Sequence, residues 1–212
     1  MTKRFSLIEM IAVIAIIGIL MAITLPAFLT MTKGQSVELA AREIGSKLKA
    51  VRSYAITNRV KCALVFITSN NDTTDNDRYR FRAYRTCIVT GSTTTGWTFS
   101  KWVPDEKWEF LPTGVIIQGI SKNNDLVTTS ISTRFDGKDD IKSPVDAKVL
   151  SNSNALYGTI FKPTGDVEGN DVFYYIGEGD SAGDIRNAAN FVAIKVDKYT
   201  GRISYYVKDK TE

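Results

Sequence analysis

The sequence predicts an α+β protein in which a long N-terminal helix, membrane-spanning in its first half and amphipathic in its second, packs on an antiparallel β-sheet or β-sandwich. Three observations carry that expectation. From Met10 to Leu29 the chain is almost wholly Ile, Ala, Leu, Val and Met. Beyond Lys33, apolar residues recur at alternating four- and three-residue steps among charges. After two alternating strands that begin at Val60, short apolar runs alternate with turn-forming sequence from Thr95 onward, the pattern of antiparallel strands.

The first segment is long enough to span a bilayer, since about 20 residues at about 1.5 Å each cover the roughly 30 Å of a hydrocarbon core. A buried core helix is the first alternative, but it would be shorter and show a polar face. A cleaved secretory signal is the second, with Lys3 and Arg4 as its basic region and Leu25-Pro26-Ala27 as a loose cleavage site. The apolar stretch exceeds the usual signal core, and a signal has no use for Glu9. After Glu9 the next charge is Lys33. An unpaired charge in a span costs a few kcal/mol, so Glu9 is a functional candidate that needs a cationic partner.

Phe5-Ser6-Leu7-Ile8-Glu9 and the apolar helix after it resemble the N-terminus of type IV pilins and type II secretion pseudopilins. That pattern is a short basic leader, a cleavage point, Phe-Thr-Leu-Ile-Glu and a long apolar helix. The resemblance implies that a prepilin peptidase cuts between Arg4 and Phe5 and methylates the new amine of Phe5. It also implies that Glu9 pairs with the amine of a neighbouring subunit during assembly. Physically, a buried ammonium and the Glu9 carboxylate would each offset the other's desolvation. The family has Gly before the cut where this chain has Arg4, and an uncut chain would keep Lys3 and Arg4 as its cytoplasmic anchor. Pro26 resembles a proline around which the helix melts in filaments, and it would equally bend the helix at the outer membrane boundary.

In the second half of the helix, Val37, Ala41, Ile44, Leu48, Val51 and Ala55 form one stripe, with Glu38, Arg42, Glu43, Lys47, Lys49 and Arg52 elsewhere. A coiled coil is the competing reading, but the pattern lasts under four heptads and runs straight into strand-like sequence. The wording "LAAREIGSKLKAVRSYAITNRVKCALVF" resembles minor pilins and pseudopilins of the GspH/FimT type. "VKCALVFI" and "RYRFRAYRTCIV" then read as a hairpin around "TSNNDTTDND". If that hairpin is symmetric, Cys62 lies opposite Cys87, and a disulfide outside the cytoplasm or two separate buried thiols both fit. Asp72, Asp75 and Asp77 could gather calcium, although their spacing matches no EF-hand and a solvated turn explains them as well.

The remaining strands read as "GWTFSKWV", "KWEFLPTGVIIQGI", "VTTSISTRF", "ALYGTIFKPTG", "DVFYYIG" and "NFVAIKVDKYTGRISYYV", closing on a hairpin at Lys198 to Gly201. "EFLPTGV", "IFKPTGDV" and "VAIKVDKYTGRISYY" resemble elements of the same GspH-type domain. The polar stretch "DGKDDIKSPVDAKVLSNSN" reads as an inserted loop. The expected organisation is a leader over 1–4, the helix over 5–58 and an extracytoplasmic β domain over 59–212.

The chain of 212 residues has no histidine and two cysteines, which removes His triads, His bases and His-containing zinc sites. Pairs such as Asp105-Glu106 and Asp139-Asp140 sit in turn-like sequence without a phosphate loop or nucleophile elbow. The expectation is a structural subunit with no catalytic activity, cofactor or metal. It would be anchored in the bacterial inner membrane with its β domain periplasmic, and assembled into a type II secretion pseudopilus or type IV pilus. The resemblance implies other pilin subunits, the prepilin peptidase, an inner-membrane assembly platform, membrane lipid and exported cargo as partners. A DNA-binding minor pilin for DNA uptake is the alternative, resting on Lys195, Lys198, Arg202, Lys208 and Lys210 near Tyr199, Tyr205 and Tyr206. The net charge of +4 does not by itself call for nucleic acid, and the interspersed Asp197, Asp209 and Glu212 fit an ordinary charged strand surface better.

Overall fold

A computed structural model describes residues 7–67, 79–92, 96–121, 139–142, 156–180 and 182–207, with side chains described except at 25–34, 139–142, 156, 188–189 and 207. The chain divides into two compact units, Met1–Ser36 and Val37–Glu212. Helix α1 (Leu7–Asn58) contributes to both, and position 26 lies within it. In the first unit, the 18 residues Leu7–Thr24 are long and apolar enough to cross a membrane, and none of them is buried. Thr24 donates its hydroxyl to the Leu20 carbonyl at 2.9 Å, which satisfies a polar group within the helix itself.

In the second unit, α1 buries Val37, Ala40, Ala41, Ile44, Leu48, Val51 and Ala55 to 1% exposure or less. All six residues of the expected stripe are among them. The opposite side carries the i,i+4 ion pair Glu38–Arg42 at 2.6 Å. The helix ends on a Schellman motif, with Arg59 at φ 54°. The Val60 amide reaches the Ala55 carbonyl and the Arg59 amide reaches that of Ile56. These bonds satisfy carbonyls that a helix end would otherwise leave orphaned.

Ten strands follow. They are β1 (Cys62–Phe66), β2 (Ala83–Ser92), β3 (Gly96–Trp102), β4 (Glu109–Phe110), β5 (Val115–Ser121), β6 (Asp139–Lys142), β7 (Leu156–Phe161), β8 (Val172–Gly179), β9 (Ile185–Val196) and β10 (Ile203–Val207). They form a six-stranded sheet in the order β1-β7-β6-β3-β2-β4 and a four-stranded sheet in the order β10-β9-β8-β5. Because β1 also pairs with β2, the strands β1, β2, β3, β6 and β7 make a closed circuit. Among the described residues every pairing is antiparallel except that of β3 with β6, which is parallel.

Alternation along the first sheet sends neighbouring side chains to opposite faces. Cys62, Leu64, Phe66, Tyr84 and Ile88 join the α1 stripe, together with Tyr174, Ile176, Ile194 and Val196 of the second sheet. Ala63, Val65, Cys87 and Val89 turn the other way and close a separate cluster with Trp97 and Ile160. The second sheet has its own far-side cluster in Phe173, Tyr175, Phe191 and Ala193.

The register corrects one expectation. Cys62 lies opposite Ile88, and Cys87 lies opposite Ala63. The hairpin is therefore displaced by one residue from the symmetric arrangement. Since each step along a strand flips the side chain, the displacement puts the two sulfurs on opposite faces of the sheet. Both cysteines are free, buried thiols.

Candidate assembly site

Glu9 lies in the first turn of α1 and is exposed. A carboxylate there also meets the positive end of the helix dipole. Arg4 and Phe5, where processing is expected, lie outside the described residues, as does the loop holding Asp72, Asp75 and Asp77. Around Glu9, residues such as Leu7, Ile8, Ile11 and Ile14 expose more than half of their surface. An apolar surface of that extent needs lipid or protein to cover it.

The β-domain end of α1 is held by a set of polar contacts to the sheets. The Lys47 ammonium lies 3.0 Å from Glu106 and 2.6 Å from Glu109 of β4. Burial opposes the charge on Lys47, but hydrogen bonds to Glu109 and Glu106 outweigh it and raise the pKa. Tyr84 of β2, fully buried, donates its hydroxyl to Glu43 at 2.5 Å. Burial, and then the carboxylates of Glu43 and Glu109, push the phenol well above its ordinary range. Next to these, burial raises the Cys62 thiol to about 12, aided by Glu106. Burial likewise raises Cys87 well above an ordinary thiol, so neither cysteine carries thiolate chemistry.

The glycine-containing turns explain themselves here. In "KPTG" the amide of Gly165 returns to the Lys162 carbonyl at 2.9 Å. In "DKYTG" the amide of Gly201 returns to the Asp197 carbonyl at 2.8 Å. Gly165 has φ +88° and Gly201 has φ +61°, both in the region that disfavours a side chain. A Cβ on Gly201 would collide with the Gly165 carbonyl and with Arg52, and one on Gly165 would press on Ile56. Arg52 of α1 donates its Nε–H to the Gly165 carbonyl at 2.8 Å. Two turns far apart in sequence thus meet at one helical arginine. Gly45 adds a third contact, since a Cβ there would strike the hydroxyl of Tyr205 in β10.

Sequence reasoning did not single out Arg52, Lys47, Tyr84, Glu109 or Gly45 for these roles. Gly45, a lone glycine inside the amphipathic half of the helix, was the one available signal, because glycine in a helix is costly unless something must approach closely.

Two members of the C-terminal basic group already have partners in the structure. Lys195 is tied to Asp171 at 2.8 Å, and Lys198 lies 5.2 Å over the ring of Tyr199. Tyr205 turns toward α1. Lys208 and Lys210 fall outside the described residues. Of the carboxylate pairs, Asp105 is exposed in a turn and Glu106 serves Lys47, while the side chains of Asp139 and Asp140 are outside the description.

No family model matches the sequence, and no curated protein matches it. Among solved structures, the fold is similar to the minor pseudopilin EpsH from the type 2 secretion system of Vibrio cholerae. One EpsH structure shows 11% identity and a TM-score of 0.44 over 82% of this chain and 99% of that one. A second shows 12% identity and 0.45 over 82% and 98%. The type IV minor pilin FimU of Pseudomonas aeruginosa shows 12% identity and 0.42 over 83% of this chain and 92% of that one. At such values the likeness concerns the course of the chain and says nothing of activity or partners.

Proposed function

We propose that this chain is a structural subunit of the minor pilin or pseudopilin kind, held in the bacterial inner membrane by the first half of α1 until it joins a filament. Single-pass anchoring, with the β domain outside the cytoplasm, is part of this reading. One observation carries it: Leu7–Thr24 is a helix with no buried residue and a single carboxylate, Glu9, in its first turn. An exposed apolar helix is stable only where lipid or neighbouring helices cover it. An ionisable side chain within such a segment is costly and marks a functional position by default.

In this reading the peptidase cuts between Arg4 and Phe5, the Phe5 amine is methylated, and Glu9 of an incoming subunit meets the amine of its neighbour. The inner-membrane platform would then lift the subunit, with Pro26 as the place where the helix bends or opens. Secretion of cargo and pilus assembly are both served by such a subunit. Binding of DNA is the weaker reading, because the salt bridge to Asp171 and the stacking on Tyr199 occupy two of its basic groups.

The test is intact mass and N-terminal sequencing of the protein from its native membrane, beside Glu9→Ala. The expected wild-type chain begins at Phe5 with one added methyl. Glu9→Ala is expected to remain membrane-bound and to fall at least about a hundredfold in filament incorporation, the scale of removing one partner of a buried charge pair. A wild-type chain still beginning at Met1, with Glu9→Ala incorporated normally, would sink the proposal.

A further inference from the structure

We infer that β10 is a docking edge at which an extended segment of another protein adds a further strand to the four-stranded sheet. β10 stands at the end of that sheet, and among the described residues it pairs with β9 alone. The Asp197 amide donates to the Arg202 carbonyl at 2.9 Å, which sets the parity of the ladder. Residues opposite one another alternate between bonded and non-bonded pairs, so Ser204 and Tyr206 turn their backbone groups toward β9. Ile203 and Tyr205 turn theirs outward. The opposite end of the sheet is not open in this way, because the Ile117 amide of β5 donates to the Phe81 carbonyl at 2.8 Å. Edge strands are ordinarily guarded by proline, charge or a bulge. The segment "ISYYV" has neither proline nor charge, and its register with β9 runs without a bulge.

Apolar surface collects at the same edge. In the unit Val37–Glu212, the described large apolar and aromatic side chains left exposed are Leu39, Ile56, Tyr199, Tyr205 and Tyr206. Two of them belong to β10, and Tyr199, 79% exposed, belongs to the turn that leads into it. Ile56 lies against Gly165, whose carbonyl faces Gly201 just before β10. The backbone decides what fits. A row of alternating donors and acceptors is satisfied by water or by another extended chain, and neither a lipid tail nor a nucleic-acid strand supplies one. Alternation gives the added strand two distinct sets of neighbours. On the side toward α1 it meets Ile203 and Tyr205, which pair with Val196 and Ile194 of the main core. On the other side it meets the exposed Arg202, then Ser204 and Tyr206. The cation on that one face is complemented by a carboxylate at the end of the incoming strand nearest Gly201. A second copy of this chain is a poorer occupant. Antiparallel, it sets Arg202 of one strand against the end from which Lys208 and Lys210 continue, and parallel, it sets like charges side by side.

The test titrates the full, isotope-labelled chain in mild detergent with an alternating Thr-Val peptide that carries Glu at each end. The comparison probes are the same peptide with Lys at each end and the same peptide with every backbone amide methylated. Amide hydrogen exchange along β10 is the readout. In the protein alone, the Ile203 and Tyr205 amides are expected to exchange at least about tenfold faster than those of Ser204 and Tyr206, which β9 holds. The Glu-ended peptide should slow Ile203 and Tyr205 saturably. Binding should be at least about tenfold weaker for the methylated peptide, which lacks the donors, and weaker for the Lys-ended one. Arg202→Glu should reverse the preference between Glu-ended and Lys-ended peptides, with Ser204 and Tyr206 still protected as the sign of an intact hairpin. Equal binding of the methylated peptide would make the contact one of side chains and overturn the inference. Protection of Ile203 and Tyr205 in the protein alone, fading on dilution, would identify a second copy as the occupant and overturn it likewise. No slowing by any peptide, or an unchanged preference in Arg202→Glu, would do the same.

Discussion

Arg52 shows how much a single side chain can organise. Its guanidinium sits half-buried between the two glycine turns and bonds the Gly165 carbonyl at 2.8 Å. A hydrogen bond from a charged donor is worth about 1.5–3 kcal/mol. Arg52→Met is thus expected to lower unfolding stability by about that amount while leaving α1 intact. Gly201→Ala should cost about 2–4 kcal/mol, since it adds left-handed backbone strain to a collision with the Gly165 carbonyl. Denaturant unfolding of both variants checks this, and a Gly201→Ala protein as stable as wild type would show that the turn relaxes freely. The turn glycines were visible in the sequence as motif positions. Their common partner was not, because Arg52 reads in sequence as one more charge on the polar side of an amphipathic helix.

At the scale of elements, periodicity was legible where it is strong. The six stripe positions from Val37 to Ala55 are all buried, as their spacing required. Ala40 and Gly45 escaped notice because small residues carry little hydropathy signal. Strand register was not legible, since pairing depends on which face each strand offers the core, and the sulfurs were misplaced by one residue for that reason. Two thiols should therefore be counted by alkylation of the unfolded, unreduced protein, with no mobility change on reduction. A single-mass species lacking both thiols would contradict the register. The parallel pairing of β3 with β6, which closes the strand circuit, had no local signal either. It joins segments separated by sequence whose hydrophobic pattern is the same for either direction.

Over the whole molecule, titration gives stability a defined pH window. Cys62, Tyr84 and Lys47 all have raised pKa values, from ordinary values of 9.0, 10.0 and 10.5. Each keeps its proton longer folded than unfolded, so its contribution is complete below those values and is lost as pH rises, for Cys62 between 9.0 and about 12. Asp166 and Asp197 are lowered from 3.8. Burial opposes the shift of Asp166, which Lys162 and Thr164 outweigh, while Thr200 leads that of Asp197. Their contributions are complete above 3.8 and are lost as pH falls. Stability should be flat from about pH 4 to about pH 9 and decline on both sides, with Cys62→Ala delaying the alkaline decline. A profile that rises above pH 10 would refute this assignment.

The main core begins at Val37, where the second compact unit begins. Residues 37–212 alone are therefore expected to unfold cooperatively in denaturant, with the midpoint of the full chain in mild detergent. A broad, non-cooperative transition would mean that the core draws on Met1–Ser36.

By itself the sequence determined the long helix, its apolar first half, the carboxylate at Glu9 and the succession of strands. These are local properties, set by composition, period and turn chemistry within a few residues. Tertiary structure alone decided the register that separates Cys62 from Cys87, the closed circuit of five strands, the meeting of two turns at Arg52 and the open edge at β10. Those depend on contacts between residues far apart in the chain, and the free energy that selects among them comes from packing the whole core at once.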